Sequence, residues 1–151
     1  MQRQTVIVSG LLAYRMQRAA AARANAIGLE VLMLPQLAAR LCGGFVEMAS
    51  AEVLFPLIRG ALAEKSFSKF NDIAGLPGMP RAVMEALRKI WNADQDLKSL
   101  AKRGGQMADL KRIETEIRRQ LPAAWLLPTD LRDRAVAGAG KAPKLLSHCI
   151  H

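Results

Sequence analysis

Residues 5–44 decide the fold of this chain: TVIVSGLLAYRMQRAAAARANAIGLEVLMLPQLAARLCGG. The β-branched, apolar run Thr5–Val8 predicts a buried strand. The alanine-rich segment Leu11–Ile27 follows and predicts a helix, because alanine, leucine, methionine and arginine are good helix formers. Gly28 is the expected C′ residue of that helix.

The second half of the same stretch repeats the pattern. Glu30–Leu34 is another short apolar strand, and Pro35 suits the first turn of a helix. That helix is expected to end at Gly43-Gly44. The order strand, helix, strand, helix predicts a right-handed βαβ unit with two parallel strands.

Beyond Phe45 the apolar residues recur every three or four positions, which is typical of helices packed on a core. We expect helices or helical turns beginning at Ser50, Phe67, Pro80, Asp96 and Gln106, and a last helix capped by Thr129 or Asp130. The predicted fold is α/β but mostly helical. It consists of a βαβα segment (1–44), a helical subdomain (45–138) and a flexible tail (139–151), which together form one folding unit.

Composition excludes several classes of protein. Of the 151 residues 51% are hydrophobic, which fits a globular chain, but no apolar run approaches the roughly 20 residues that span a bilayer. Arg3 precedes an apolar stretch too short for a secretory signal, so we expect a cytoplasmic protein without membrane contact. Cys42 and Cys149 are too few for a disulfide scaffold or a zinc site.

Charge points to acidic partners. The net charge is +9, and nucleic acid is the commonest partner of such a chain. Solubility alone is the competing explanation, and a solvated helix face with pairs such as Glu114 with Arg118 explains the cations equally well. The candidate nucleic-acid-binding residues are Arg15, Arg18, Arg81, Arg88, Lys89, Lys102, Arg103, Lys111, Arg112, Arg118 and Arg119.

Two segments invite comparison with phosphate-binding loops. Ser9–Arg15 follows a predicted strand but has no second glycine, no lysine and no serine or threonine after the glycine. Gly138–Ala142 has the wrong glycine spacing, follows a helix and carries Ala142 where a serine or threonine is required. We therefore expect no nucleotide and no other cofactor to bind at either segment.

Other residues suited to chemistry have simpler explanations. Asp94 and Asp96 resemble the acid pair of a nuclease, but helix termination and N-capping account for both. His148, Cys149 and His151 could bind a soft metal only with a further ligand. The sequence therefore predicts no catalytic residue and no metal site.

The order of several segments points to a family. They are Leu32–Leu37 (LMLPQL), Leu76–Val83 (LPGMPRAV), the acidic-leucine end Asp94–Leu97, Met107–Ile113 (MADLKRI), Thr129–Leu131 and Ala135. From Val6 to about Ala137, this succession resembles the N-terminal helicase-like region of the AddB/RexB family. Members of that family partner a helicase–nuclease subunit in bacterial double-strand break processing.

The resemblance implies a superfamily I helicase-like fold of the P-loop type. Loss of the Walker A residues at Ser9–Arg15 is similar to the inactivated branches of the family, so no ATP-binding residue carries over. Family members also have a C-terminal PD-(D/E)XK nuclease domain without counterpart here. We expect a non-catalytic part of a larger DNA-repair subunit that contacts DNA or the partner subunit. The alternative is a protein–protein scaffold that oligomerises through exposed apolar faces without binding DNA.

Overall fold

A computed structural model describes residues 4–64 and 66–140, and the backbone of Cys149–Ile150. The chain has a mostly helical α/β fold. Two compact units are present: Ala49–Thr129 form the second, and the described residues before and after that range form the first. The predicted helical subdomain (45–138) begins four residues before this second unit and also includes residues 130–138, which belong to the first unit. Within the described ranges, no helix is both long and apolar enough to cross a membrane.

The elements follow one another as strands and helices of unequal length. In chain order they are β1 (Gln4–Val8), α1 (Leu11–Arg23), β2 (Leu29–Met33), α2 (Leu34–Leu41), β3 (Glu47–Met48), α3 (Ala51–Glu64), α4 (Met79–Asn92), α5 (Leu97–Ala101), α6 (Gln106–Gln120), β4 (Trp125–Leu126), α7 (Pro128–Ala139) and β5 (Cys149–Ile150). The three shortest strands, β3, β4 and β5, were not predicted, because two residues carry no periodicity.

The parallel sheet of the first unit confirms the predicted pairing. Strands β1 and β2 run parallel, with Val6 opposite Val31. Strand β5 pairs with β1 on the other side, so the strand order is β2-β1-β5. The rest of the predicted flexible tail, residues 141–148 and 151, lies outside the described residues.

Helix α1 ends four residues before the predicted Ile27. Asn25 adopts φ 47°, the left-handed conformation that asparagine tolerates better than most residues. The N–H of Ala26 donates to the carbonyl of Ala21 at 3.0 Å, which closes a Schellman motif around Asn25. Gly28, with φ 86°, therefore leads into β2 instead of capping the helix.

Helix α2 begins at Leu34, one residue before the predicted Pro35, and ends before Gly43 as predicted. Pro35 lies in its first turn, and Gly43 follows its end with φ 101°. The N–H of Gly44 donates to the carbonyl of Ala39 at 2.9 Å, which makes a second Schellman motif. Cys42, predicted within this helix, is instead its C-terminal cap; it is half-buried, with its Sγ 3.7 Å from the carbonyl oxygen of Leu131.

The second unit has a continuous apolar core built from three long helices. Ile58 on α3, Leu87 on α4 and Ile113 on α6 are fully buried in it. Pro80 lies in the first turn of α4, as predicted from the fixed φ of proline and its missing N–H. Phe67 and Phe70 lie in the core as well. Phe67 is in irregular backbone and Phe70 is at a bend, and hydrogen-bonded turns follow from Asn71.

Helix α7 begins at Pro128, slightly before the predicted cap, and includes Gly138. A Cβ added to Gly138 would collide with the carbonyl oxygen of Leu41. Close packing within the first unit therefore accounts for this glycine. Gly138 and Ala139 are the last two residues of this helix. The segment Gly138–Ala142 therefore continues from a helix, whereas a phosphate-binding loop follows a strand.

Candidate nucleic-acid interface

The candidate cations are divided between the two units. Arg15 and Arg18 lie exposed on α1 of the first unit, where the guanidinium of Arg18 stacks 5.6 Å from the ring centre of Tyr14. The other nine lie in the second unit, on α4, directly after α5, and on α6. Their partners differ, and that difference determines which of them are available to phosphate.

The basic residues of α6 lie on two sides of the helix and do not make one stripe. Consecutive helical residues are about 100° apart, so Lys111 and Arg112 point in different directions, as do Arg118 and Arg119. Contacts confirm the separation. Lys111 and Arg118 both pair with Glu114, whereas Arg112 donates to the carbonyl of Ser66 at 2.7 Å.

Glu114 accepts hydrogen bonds from three residues. Its buried carboxylate accepts from Lys111 Nζ at 2.7 Å, from Trp91 Nε1 at 3.0 Å and from Arg118 Nη2 at 3.5 Å. Arg118 also lies 3.4 Å from the hydroxyl of Thr129. A buried carboxylate is destabilising unless charge and hydrogen bonds compensate it. Lys111 and Arg118 therefore have a structural role, and the predicted pairing of Glu114 with Arg118 is confirmed.

Glu116, two residues after Glu114, accepts hydrogen bonds from residues of its own helix. It is buried and accepts from Arg119 Nε at 3.0 Å and from Gln120 Nε2 at 2.6 Å. The hydrogen bond and the charge of Glu116 raise the pKa of Arg119 above its usual value. A phosphate group would have to compete with this carboxylate for Arg119.

The remaining candidates lie on exposed surface. Arg81 pairs with Glu85 at 3.3 Å, although both side chains are largely in solvent. For Arg88, Lys89, Lys102 and Arg103, no ion pair is present among the described residues. All four side chains are exposed. These four residues are called the open cations below.

The two aspartates of the suspected acid pair end one helix and begin the next. Asp94 adopts φ 54° after α4, and Gln95 N–H donates to the carbonyl of Ile90 at 3.1 Å, as in a Schellman motif. Asp96 caps α5 by accepting from the N–H groups of Lys98 and Ser99. The Ser99 hydroxyl, these two N–H groups and the charge of Lys111 lower the pKa of Asp96. Both predicted structural explanations are confirmed.

The surroundings of the acid pair form a small polar cleft of about 200 Å³. It is lined by Trp91, Asp94, Gln95, Asp96, Leu97, Lys111, Glu114, Arg118 and Thr129. In residues 4–64 and 66–140, no three histidine, cysteine or acidic side chains are placed to hold a metal ion. The side chains of His148, Cys149 and His151 lie outside the described residues.

Asp109 is a key residue whose contacts sequence reasoning did not predict. It is buried on α6 and accepts from the backbone N–H groups of Ser68, Lys69 and Phe70 at 3.0, 2.7 and 3.1 Å. Burial opposes its ionisation, but the four donors, which include the Ser68 hydroxyl, outweigh burial and lower the pKa of Asp109. The signal in the sequence is an acid four residues before Ile113 on the apolar face.

Three kinds of comparison with known proteins gave no relative: no family model, no curated protein and no solved structure matches this chain.

Proposed function

We propose that this chain is a non-catalytic, helicase-like part of an AddB-type DNA-repair subunit and that it contacts DNA phosphates. The ordered segments from Leu32 to Ala135 that resemble the AddB/RexB family support the family part of the proposal. The βα arrangement of β1, α1 and β2 is compatible with a helicase-like domain. The net charge of +9 supports an acidic partner.

A single observation carries the DNA part of the proposal: the open cations of the second unit are exposed and have no acidic partner within residues 4–64 and 66–140. Arg88 and Lys89 lie on the outer face of α4, and Lys102 and Arg103 follow α5. A cation already bound to a buried carboxylate has little to gain from phosphate, because it must give up that pair. We therefore assign the contacts to the open cations before Lys111, Arg118 and Arg119.

Contacts of this kind hold the DNA backbone without reading its sequence. Binding releases counterions condensed on the DNA, so affinity falls as salt rises. The chain has one tyrosine and two tryptophans, and Trp91 is buried in the core. Base stacking therefore contributes little, and single and double strands should bind through the same cations.

Fluorescence anisotropy with labelled single- and double-stranded oligonucleotides tests this proposal. We expect log Kd to change linearly with log salt, with a slope of roughly 0.7–0.9 per phosphate contact. Absence of binding at low ionic strength would contradict the DNA contact. Subunit docking would then be the only role that remains from the resemblance to AddB.

The second candidate function is self-association, and α1 favours it. This helix buries none of its residues, and Leu12 and Met16, one turn apart, are 73% and 64% exposed. Large exposed apolar patches mark interaction surfaces. Light scattering should then detect a dimer that Leu12→Lys and Met16→Lys convert to a monomer. A monomeric wild-type protein would contradict this function.

A further inference from the structure

Helices α3 and α4 of the second unit border an apolar groove that shares one residue, Arg88, with the open cations. One part, of about 460 Å³, lies beside Phe55, Arg59 and the loop 74–77. The other, of about 510 Å³, lies between the start of α3 and the outer face of α4. Phe55 lines both parts, so they adjoin at its ring. We call this surface the α3–α4 groove.

Apolar side chains are open to solvent in the groove. Phe55 is 38% exposed and Leu76 is 55% exposed. Pro77 and Pro80 line the same part, and proline rings restrict the backbone of the loop that carries Leu76. A partially exposed aromatic ring beside an exposed leucine is the type of surface that a partner's apolar side chains cover.

The charges of the groove leave an excess of cations. Three arginines and two glutamates line it, an excess of one cation. Glu85 pairs with Arg81 at 3.3 Å, whereas Glu52 accepts from the neutral hydroxyl of Ser50 at 2.7 Å and keeps its charge. Arg59 lines one part and Arg88 the other. Among the described residues, neither of these two arginines has an ion pair.

We propose that the α3–α4 groove binds an acidic amphipathic helix of a partner protein. Apolar side chains of the partner cover Phe55 and Leu76, and its carboxylates pair with Arg59 and Arg88. Phe55 and Arg59 are one turn apart on α3. Two partner residues one turn apart, one apolar and one acidic, can therefore contact Phe55 and Arg59 respectively. Recognition of a helix in a groove uses this spacing of anchors.

Other occupants fit the groove less well. Helix α1 of a second copy carries Arg15, Arg18 and Arg23 and no acid, so like charges would oppose Arg59. DNA supplies negative charge but no aliphatic side chains to cover Phe55. An acidic helix satisfies both the apolar floor and the arginines.

The test uses the whole chain and a labelled helical peptide of about 18 residues, or five turns. The peptide contains leucine and phenylalanine on one face and glutamate on the other. Two controls are an isomer of the same composition in scrambled order and a version with lysine replacing glutamate. We expect the acidic amphipathic peptide to bind about tenfold or more tightly than either control, as loss of one anchor contact implies.

Two variants localise the binding. Phe55→Asp and, separately, Arg59→Glu should each weaken binding about tenfold. Arg59→Glu should also improve binding of the lysine peptide, since the charge at the groove is then reversed. Lys69→Glu, at an exposed lysine outside the groove, is the matched control and should change nothing. Neither Phe55 nor Arg59 belongs to the open cations, so these two variants leave every proposed DNA contact in place.

Equal binding of the scrambled peptide, or no effect of Arg59→Glu in a variant with wild-type circular dichroism, would overturn the proposal. Self-association that Phe55→Asp abolishes, without any peptide binding, would overturn it in favour of a second copy.

Discussion

The indole Nε1 of Trp91 lies 3.0 Å from Oε1 of Glu114, and both side chains are buried. This hydrogen bond joins α4 to α6 beside the polar cleft of the second unit. The same carboxylate pairs with Lys111 and Arg118, so a buried acid, an indole and two cations form one network. Lys111 and Arg118 therefore stabilise the fold, whereas the open cations remain available to a partner.

Glu114→Ala should lower the free energy of unfolding of the second unit by about 1–3 kcal/mol, because the indole N–H of Trp91 is left buried without an acceptor. Glu114→Gln retains an acceptor and should lower it less. Both tryptophans, Trp91 and Trp125, belong to this unit, so urea unfolding followed by tryptophan emission measures the effect. Glu85→Gln, at an exposed ion pair, is the control and should cost under about 1 kcal/mol. Equal costs at Glu114 and Glu85 would contradict the role of the network.

Asp109→Asn should lower the free energy of unfolding by about 1–3 kcal/mol at neutral pH, because the amide cannot accept from all the N–H groups of residues 68–70. The pKa of Asp109 is lowered in the folded state. Its contribution is therefore fully present above the unfolded pKa of about 3.9 and is lost as pH falls through the folded value. Urea unfolding from pH 7 to pH 3 should show the difference between wild type and variant shrinking.

The matched control for Asp109 is Asp72→Asn, since Asp72 is exposed. Its stability should follow that of the wild type at every pH. A difference between wild type and Asp109→Asn that is as large at pH 3 as at pH 7 would show that the carboxylate charge is not the origin of the effect.

Asp96→Ala should lower the urea midpoint of the second unit, because it removes the acceptor for two N–H groups at the start of α5. Asp96→Asn should have little effect, since asparagine caps helices about as well as aspartate. Magnesium should leave both midpoints unchanged. If the alanine and asparagine variants were equally destabilised, capping would not be the role of Asp96.

Gly138→Ala should destabilise the first unit by about 1–3 kcal/mol, as expected when an added methyl group forces the backbone to shift. The collision is with the carbonyl oxygen of Leu41. Gly140→Ala is the control, because a Cβ there meets only the carbonyl oxygen of Ala137, at 3.9 Å. Thermal unfolding followed by circular dichroism compares the two. A tolerated alanine at position 138 would refute the close approach.

Periodicity predicted the elements that have a strong local signal. The apolar stripe of α6, with Leu110, Ile113 and Ile117 buried, lies where the spacing indicated, and β1 and β2 pair in parallel. The end of α1 was wrong by four residues, because Asn25 can take the left-handed cap position that the glycine was expected to occupy. The conformational preferences of asparagine and glycine do not by themselves decide whether Asn25 or Gly28 ends the helix.

Contacts between distant residues could not be predicted. Nothing near Asp109 in the chain indicates that it accepts from residues 68–70, which are about forty positions away. Likewise, the pairing of Lys111 and Arg118 with one buried acid depends on the indole of Trp91 on another helix. The sequence therefore identified the basic residues but not their partners. Packing determines which of them pair with an acid and which stay open.

The central claim is that the open cations contact DNA phosphates, and the most direct test compares salt slopes of variants. Arg88→Ala with Lys89→Ala, and separately Lys102→Ala with Arg103→Ala, each remove two cations. Arg40→Ala with Arg81→Ala removes the same charge at exposed arginines that pair with Glu30 and Glu85. For double-stranded DNA we predict that each of the first two changes reduces the slope of log Kd against log salt by about 1.8, and that the control leaves it unchanged. Equal slopes for all three double variants would contradict the claim.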